Sequence, residues 1–107
     1  MTIQPLGKIT VTTPGTPVRV TSQTGLRASR MLFATDPSDT GAIYLGVAGM
    51  VKATRAGVIR VFTAPGTGPQ DGLVLQTDRQ TVNPGDYYID ADNAGQGLLV
   101  TLWLSTP

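Results

Sequence analysis

Along most of the chain apolar and polar residues alternate with a period of two, the signature of strands with one face covered and one open. In residues 8–12, Ile9 and Val11 point one way while Lys8, Thr10 and Thr12 point the other. Pro-Gly-Thr-Pro at 14–17 interrupts the run, and Val18 and Val20 resume it around Arg19. Two alternating runs about a Pro/Gly turn predict a hairpin. Residues 29–35 contain an unbroken Met31-Leu32-Phe33, which predicts a strand covered on both faces. Asp-Pro-Ser-Asp-Thr-Gly at 36–41 has the residues of a turn. Further strands are predicted over 42–47 and over 57–64, where Ile59, Val61 and Thr63 oppose Val58, Arg60 and Phe62. A long polar loop over 65–72 precedes strands at 73–77, 85–91 and 97–105. The last places Leu98, Val100, Leu102 and Leu104 on one face and Leu99, Thr101 and Trp103 on the other. The glycine-bounded stretch 49–57 is too short for a stable helix and forms one turn at most.

Short strands spaced near ten residues, with turn residues between them, predict an all-β fold. The expected architecture is a single β-sandwich or jelly-roll of about eight short antiparallel strands over residues 1–107, with 1–7 as an extended N-terminal arm. Thirteen Gly and eight Pro supply so many turns. A chain of 107 residues buries enough surface to fold without staples.

Composition narrows the chemistry. With 40% hydrophobic and only 14% charged residues the chain is a globular one with a weakly charged, Thr- and Ser-rich surface. That surface favours contact with other proteins. The net charge is +1 and the basic residues are scattered, so nucleic acid is not an expected partner. The first residues have neither a basic nor an apolar segment, which predicts no signal peptide and synthesis in a cytoplasm. No apolar run reaches the length of a membrane span.

The chain has no His and no Cys, and all seven of its acidic residues are Asp. Ser-His-Asp and Cys-His catalysis and ordinary zinc sites are therefore out of reach, and no cofactor is expected. Paired aspartates can hydrolyse glycosides, but so short a chain leaves little material for the cleft this needs. The glycines near 66–72 and 46–57 lack phosphate-loop spacing. The expectation is a protein without enzymatic activity.

Asn-Pro-Gly-Asp-Tyr-Tyr-Ile-Asp-Ala-Asp-Asn at 83–93 concentrates three aspartates. Counted from Asp90 as a calcium loop, Asp92 and Gly95 fit, while Ala94 and Thr101 fail. A looser calcium site from Asp90, Asp92 and Asn93 is the alternative. The preferred reading is a type II turn at 83–86, a strand, and a second turn whose Asp and Asn side chains bond their own backbone. A better functional signal lies in apolar side chains opposite the core. Trp103 and Leu99 on the last strand, with Tyr44 and Tyr87, are candidate interface anchors, although the preferred reading is that both faces are simply core.

Three stretches carry a resemblance: 9–22, 32–50 and 82–104. Within them Thr40, Gly41, Ile43, Tyr44 and Gly46 form one turn-and-strand motif, and Pro84, Gly85, Tyr88, Asp90 and Ala91 a second. The chain resembles the small β-sandwich structural proteins of tailed bacteriophages. The resemblance implies a virion component without catalysis, a capsid decoration or cement protein bound to the major capsid protein. It also implies a homo-oligomer, a trimer at threefold positions. The 1–7 arm and the 65–72 loop, with Pro65 and Gln70, would reach neighbouring capsid subunits. Two alternatives stand beside it. One is a tail or connector subunit. The other is a carbohydrate- or receptor-binding module using Tyr87, Tyr88, Trp103 and the Asp90/Asp92 pair.

Overall fold

The computed structural model describes residues 2–22, 26–36, 39–62, 72–76 and 81–104. These form eight strands: β1 (Thr2–Val11), β2 (Val18–Arg19), β3 (Ala28–Thr35), β4 (Ile43–Val51), β5 (Ala56–Phe62), β6 (Gly72–Gln76), β7 (Tyr87–Ala91) and β8 (Gln96–Leu104). They make two antiparallel four-stranded sheets. Sheet I has the order β1-β8-β3-β6 and sheet II the order β2-β7-β4-β5. The all-β, sandwich-like architecture is the one the alternation predicts. Among the described residues no helix is long and apolar enough to cross a membrane.

Between the sheets lie Met31 and Phe33 of β3, Ile43 and Leu45 of β4, Phe62 of β5, Ile89 of β7, and Leu98, Val100 and Leu102 of β8, all essentially without solvent contact. Each such side chain contributes roughly 1.5–3 kcal/mol by leaving water. Two glycines let backbones approach that a side chain would hold apart. A Cβ on Gly97 of β8 would strike the Ile9 carbonyl oxygen of β1. One on Gly46 of β4 would strike the Gly57 carbonyl oxygen and lie 3.0 Å from the Met50 sulfur.

Several local expectations are corrected. β1 and β2 are not a hairpin: β1 pairs with β8 and β2 with β7, so the chain changes sheet at residues 12–17. Val11 and Val20 are both buried, and a sheet crossing satisfies both. Residues 2–7 are no free arm but the first part of β1, paired to β8 from Thr2↔Leu104 onward. A bulge between Pro5 and Gly7, with Gly7 at φ 73°, turns Leu6 against the core. β3 is covered on one face only, because Met31, Phe33 and Thr35 are buried while Leu32 and Ala34 are half-exposed. Residues 52–55 are the turn of a β4–β5 hairpin.

The Asn83–Asp86 turn is 3-10 in form rather than type II. Asn83 accepts a hydrogen bond from the Gly85 amide at 2.9 Å, and Gly85 does not take positive φ. The Arg19 guanidinium lies against Gly85 and donates to its carbonyl at 2.6 Å. A Cβ there would come within 3.0 Å of that guanidinium, so this glycine serves close approach.

Candidate functional site

β8 is an inner strand of sheet I, and its alternation decides the outer surface of that sheet. With Leu98, Val100 and Leu102 in the core, Leu99, Thr101 and Trp103 must face outward. The ladder places Ile3 of β1 and Arg30 of β3 beside Trp103, and Pro5 and Leu32 beside Thr101. Val74 of β6 extends the row next to Leu32. Ile3 is 59% exposed and Val74 50%, while Leu32, Leu99, Thr101 and Trp103 are partly covered.

An apolar strip thus crosses all four strands of sheet I, with charge at both ends. At one end the Arg30 guanidinium lies over the Trp103 ring, 5.5 Å from its centroid. At the other, Lys8 Nζ sits 3.7 Å from Asp36 Oδ2 and 3.7 Å from Asp39 Oδ1. The Asp39 carboxylate is fully buried and also accepts from the amides of Asp36 and Gly97.

Sheet II carries the aspartate-rich stretch, and its side chains diverge. Asp90 is 1% exposed; its Oδ1 accepts from the Gly15 amide at 3.0 Å and the Ala91 amide at 2.8 Å. Asp92 is exposed, accepts from the Tyr44 hydroxyl at 2.9 Å and pairs with Lys52 Nζ at 3.5 Å. Asn93 donates to Thr40 at 3.3 Å. The three candidate calcium ligands therefore serve three different partners. Among the described residues, no group of three or more carboxylate, His or Cys side chains could hold a metal ion.

The aromatic candidates separate in the same way. Trp103 and Leu99 lie on the outer face of sheet I, as the alternation predicts. Tyr44 is only 5% exposed, with the Arg55 guanidinium 4.9 Å from its ring centroid, so it is a packed residue and not an interface anchor. Tyr87 turns toward the core, its ring 6.5 Å from that of Phe33. Burial first, and the Asp86 charge second, raise its phenol pKa above the ordinary 10.0. Tyr88 alternates to the outer face of sheet II, across the sandwich from Trp103, so these two rings share no sugar platform. Pro65 and Gln70 lie outside the described residues.

Ile3, Leu32, Arg30 and Val74 complete the strip, and sequence reasoning missed all four. Ile3 stood in the expected arm, and Leu32 was hidden in an unbroken apolar run. The period-two alternation of 3–5 was the available signal for Ile3, while Val74 lies within the unbroken apolar run 73–75.

The fold and this face define the class: an antiparallel β-sandwich with a half-open apolar strip across one sheet. Comparison with known protein families, with curated proteins and with solved structures found no match.

Proposed function

We propose that this chain is a non-enzymatic structural protein of a tailed-phage virion, a decoration protein that lays the outer face of sheet I on the major capsid shell. The carrying observation is the strip of Ile3, Trp103, Leu32 and Val74, apolar at its centre and charged at its rim, the make-up of a protein interface. The resemblance to phage structural proteins adds support. Its two motifs meet in one strand pair, with Ile43 beside Ala91, Tyr44 beside Asp90 and Gly46 beside Tyr88.

The test is cosedimentation with heads, and separately with tails, from particles of the source phage that lack this protein. The chain is expected to sediment with heads. Trp103→Ala should weaken binding at least tenfold, about 1.4 kcal/mol, as loss of an aromatic anchor does. Ile59→Asp, on the exposed edge of sheet II, should leave binding unchanged. A chain that stays in the supernatant with heads overturns the proposal, and sedimentation with tails alone moves it to the tail.

A further inference from the structure

Lys8, Asp36 and Asp39 meet at one end of three neighbouring strands of sheet I. Lys8 of β1 and Ala34 of β3 both pair with Leu99 of β8, so Lys8 stands beside the end of β3, where Asp36 follows. Asp39 lies in the β3–β4 connection, and its amide bonds the Asp36 carbonyl at 2.9 Å. Lys8 Nζ is 3.7 Å from both Asp39 Oδ1 and Asp36 Oδ2. That is longer than the roughly 2.7–2.9 Å of a charge-assisted hydrogen bond. Main chain is what holds Asp39: the Asp36 amide donates to Oδ2 at 3.0 Å and the Gly97 amide to Oδ1 at 3.4 Å. The Asp39 side chain has no solvent contact, while that of Lys8 is 24% exposed and that of Asp36 27%.

These groups are the parts of an amide condensation. Lys8 supplies an amine nucleophile. Asp39 supplies a carboxyl shut away from water, with two N–H donors aimed at its oxygens as in an oxyanion hole. Asp36 reaches the same nitrogen and can carry its protons. The fold holds all three together, so no encounter is needed, and a small closing movement brings the nitrogen to roughly 3–3.5 Å from the carboxyl carbon. Burying opposite charges costs desolvation that a neutral amide avoids.

We propose that Lys8 and Asp39 join in an isopeptide bond formed by the folded chain itself. Asp36 takes one proton from the Lys8 ammonium and passes it to Asp39 Oδ1. The neutral amine attacks the Asp39 carboxyl carbon, and the Asp36 amide holds the charge that gathers on Oδ2. Asp36 then carries a second nitrogen proton to Oδ1, the C–Oδ1 bond breaks, and one water leaves. The Nζ–C bond stands in its place and Oδ2 remains as the amide oxygen. An ammonium and a carboxylate thus become an amide and water, with no oxidant, reductant or cofactor. The bond ties β1 past β8 to the β3–β4 connection, a staple for a chain without cysteine. It does not depend on the capsid reading.

The experiment is the intact mass of the purified wild-type chain, unfolded before measurement. It is expected to fall below the sequence mass by one water. Proteolysis should yield a fragment in which the segments around Lys8 and Asp39 stay joined. Lys8→Arg keeps the positive charge, removes the nucleophile and should show its full sequence mass. Asp36→Asn keeps the shape and removes the proton carrier, so after refolding it should lose water on the order of a hundredfold more slowly than the wild type. A wild-type chain at its full sequence mass overturns the proposal. So does a water lost within a single segment, a link from Lys8 to Asp36, or a Lys8→Arg chain that also lacks one water. The wild-type mass and fragment decide the matter even where a variant fails to fold. Capsid cosedimentation is read separately, so either proposal can fail without the other.

Discussion

Two Pro-Gly turns in this chain reach different conformations. In Thr13-Pro14-Gly15-Thr16 the Thr16 amide bonds the Thr13 carbonyl and Gly15 takes φ 91°, the positive value of a type II turn. In Asn83-Pro84-Gly85-Asp86 the same two central residues form a 3-10 turn, because the Asn83 side chain captures the Gly85 amide and Arg19 the Gly85 carbonyl. The Gly15 amide in turn bonds Asp90, which ties the sheet crossing to β7. Asp90→Ala removes a buried carboxylate that accepts from two backbone amides and should cost about 1–3 kcal/mol. Asp92→Ala removes an exposed carboxylate with a long ion pair and should cost under about 1 kcal/mol. Urea unfolding of both variants checks the order, and equal losses would refute the structural role assigned to Asp90.

At the scale of the element, the β4–β5 hairpin shows how far alternation carries. Alternation correctly sets buried Phe62 of β5 on the face opposite exposed Ile59, but Ile43, Tyr44, Leu45 and Gly46 of β4 are buried in succession. It does not reveal the turn at 52–55, where Arg55 takes φ 64°. A residue with a Cβ is costly there, and Arg55 offsets the cost by stacking on Tyr44 and donating to the Lys52 carbonyl. Arg55→Gly relieves about 1 kcal/mol of backbone cost and gives up a stack of about 0.5–1 kcal/mol, so stability should barely change. Arg55→Ala keeps the cost and loses the stack, and should fall about 1 kcal/mol below the glycine variant. Thermal denaturation of the pair decides it, and an alanine variant as stable as the glycine one rules the account out.

At the scale of the molecule, the first strand pairs with the last. β1 and β8 share a ladder from Thr2↔Leu104 to Val11↔Gln96, and β8 also pairs with β3. Such closure joins residues far apart in sequence before much of the core is in place. Refolding should therefore be slow for a chain of this length, in roughly the millisecond-to-second range, as a single exponential by stopped-flow fluorescence of Trp103. Microsecond refolding would show that local hairpins, and not the β1–β8 closure, limit the rate.

The sequence by itself determined the all-β class, the places of most strands and the shared face of Leu98, Val100 and Leu102, though not that this face is the inward one. It also determined a chemistry without His, Cys or Glu. These are local properties: a period of two and the presence or absence of a side chain are visible in a short window. Tertiary structure decided that β1 leaves β2 for β8, that Asp90 is buried while Asp92 is exposed, and that Tyr44 and Tyr87 are packed while Trp103 is half-open. Alternation says that two faces differ; which strands adjoin, and what covers each face, depends on hydrogen bonds between residues distant along the chain.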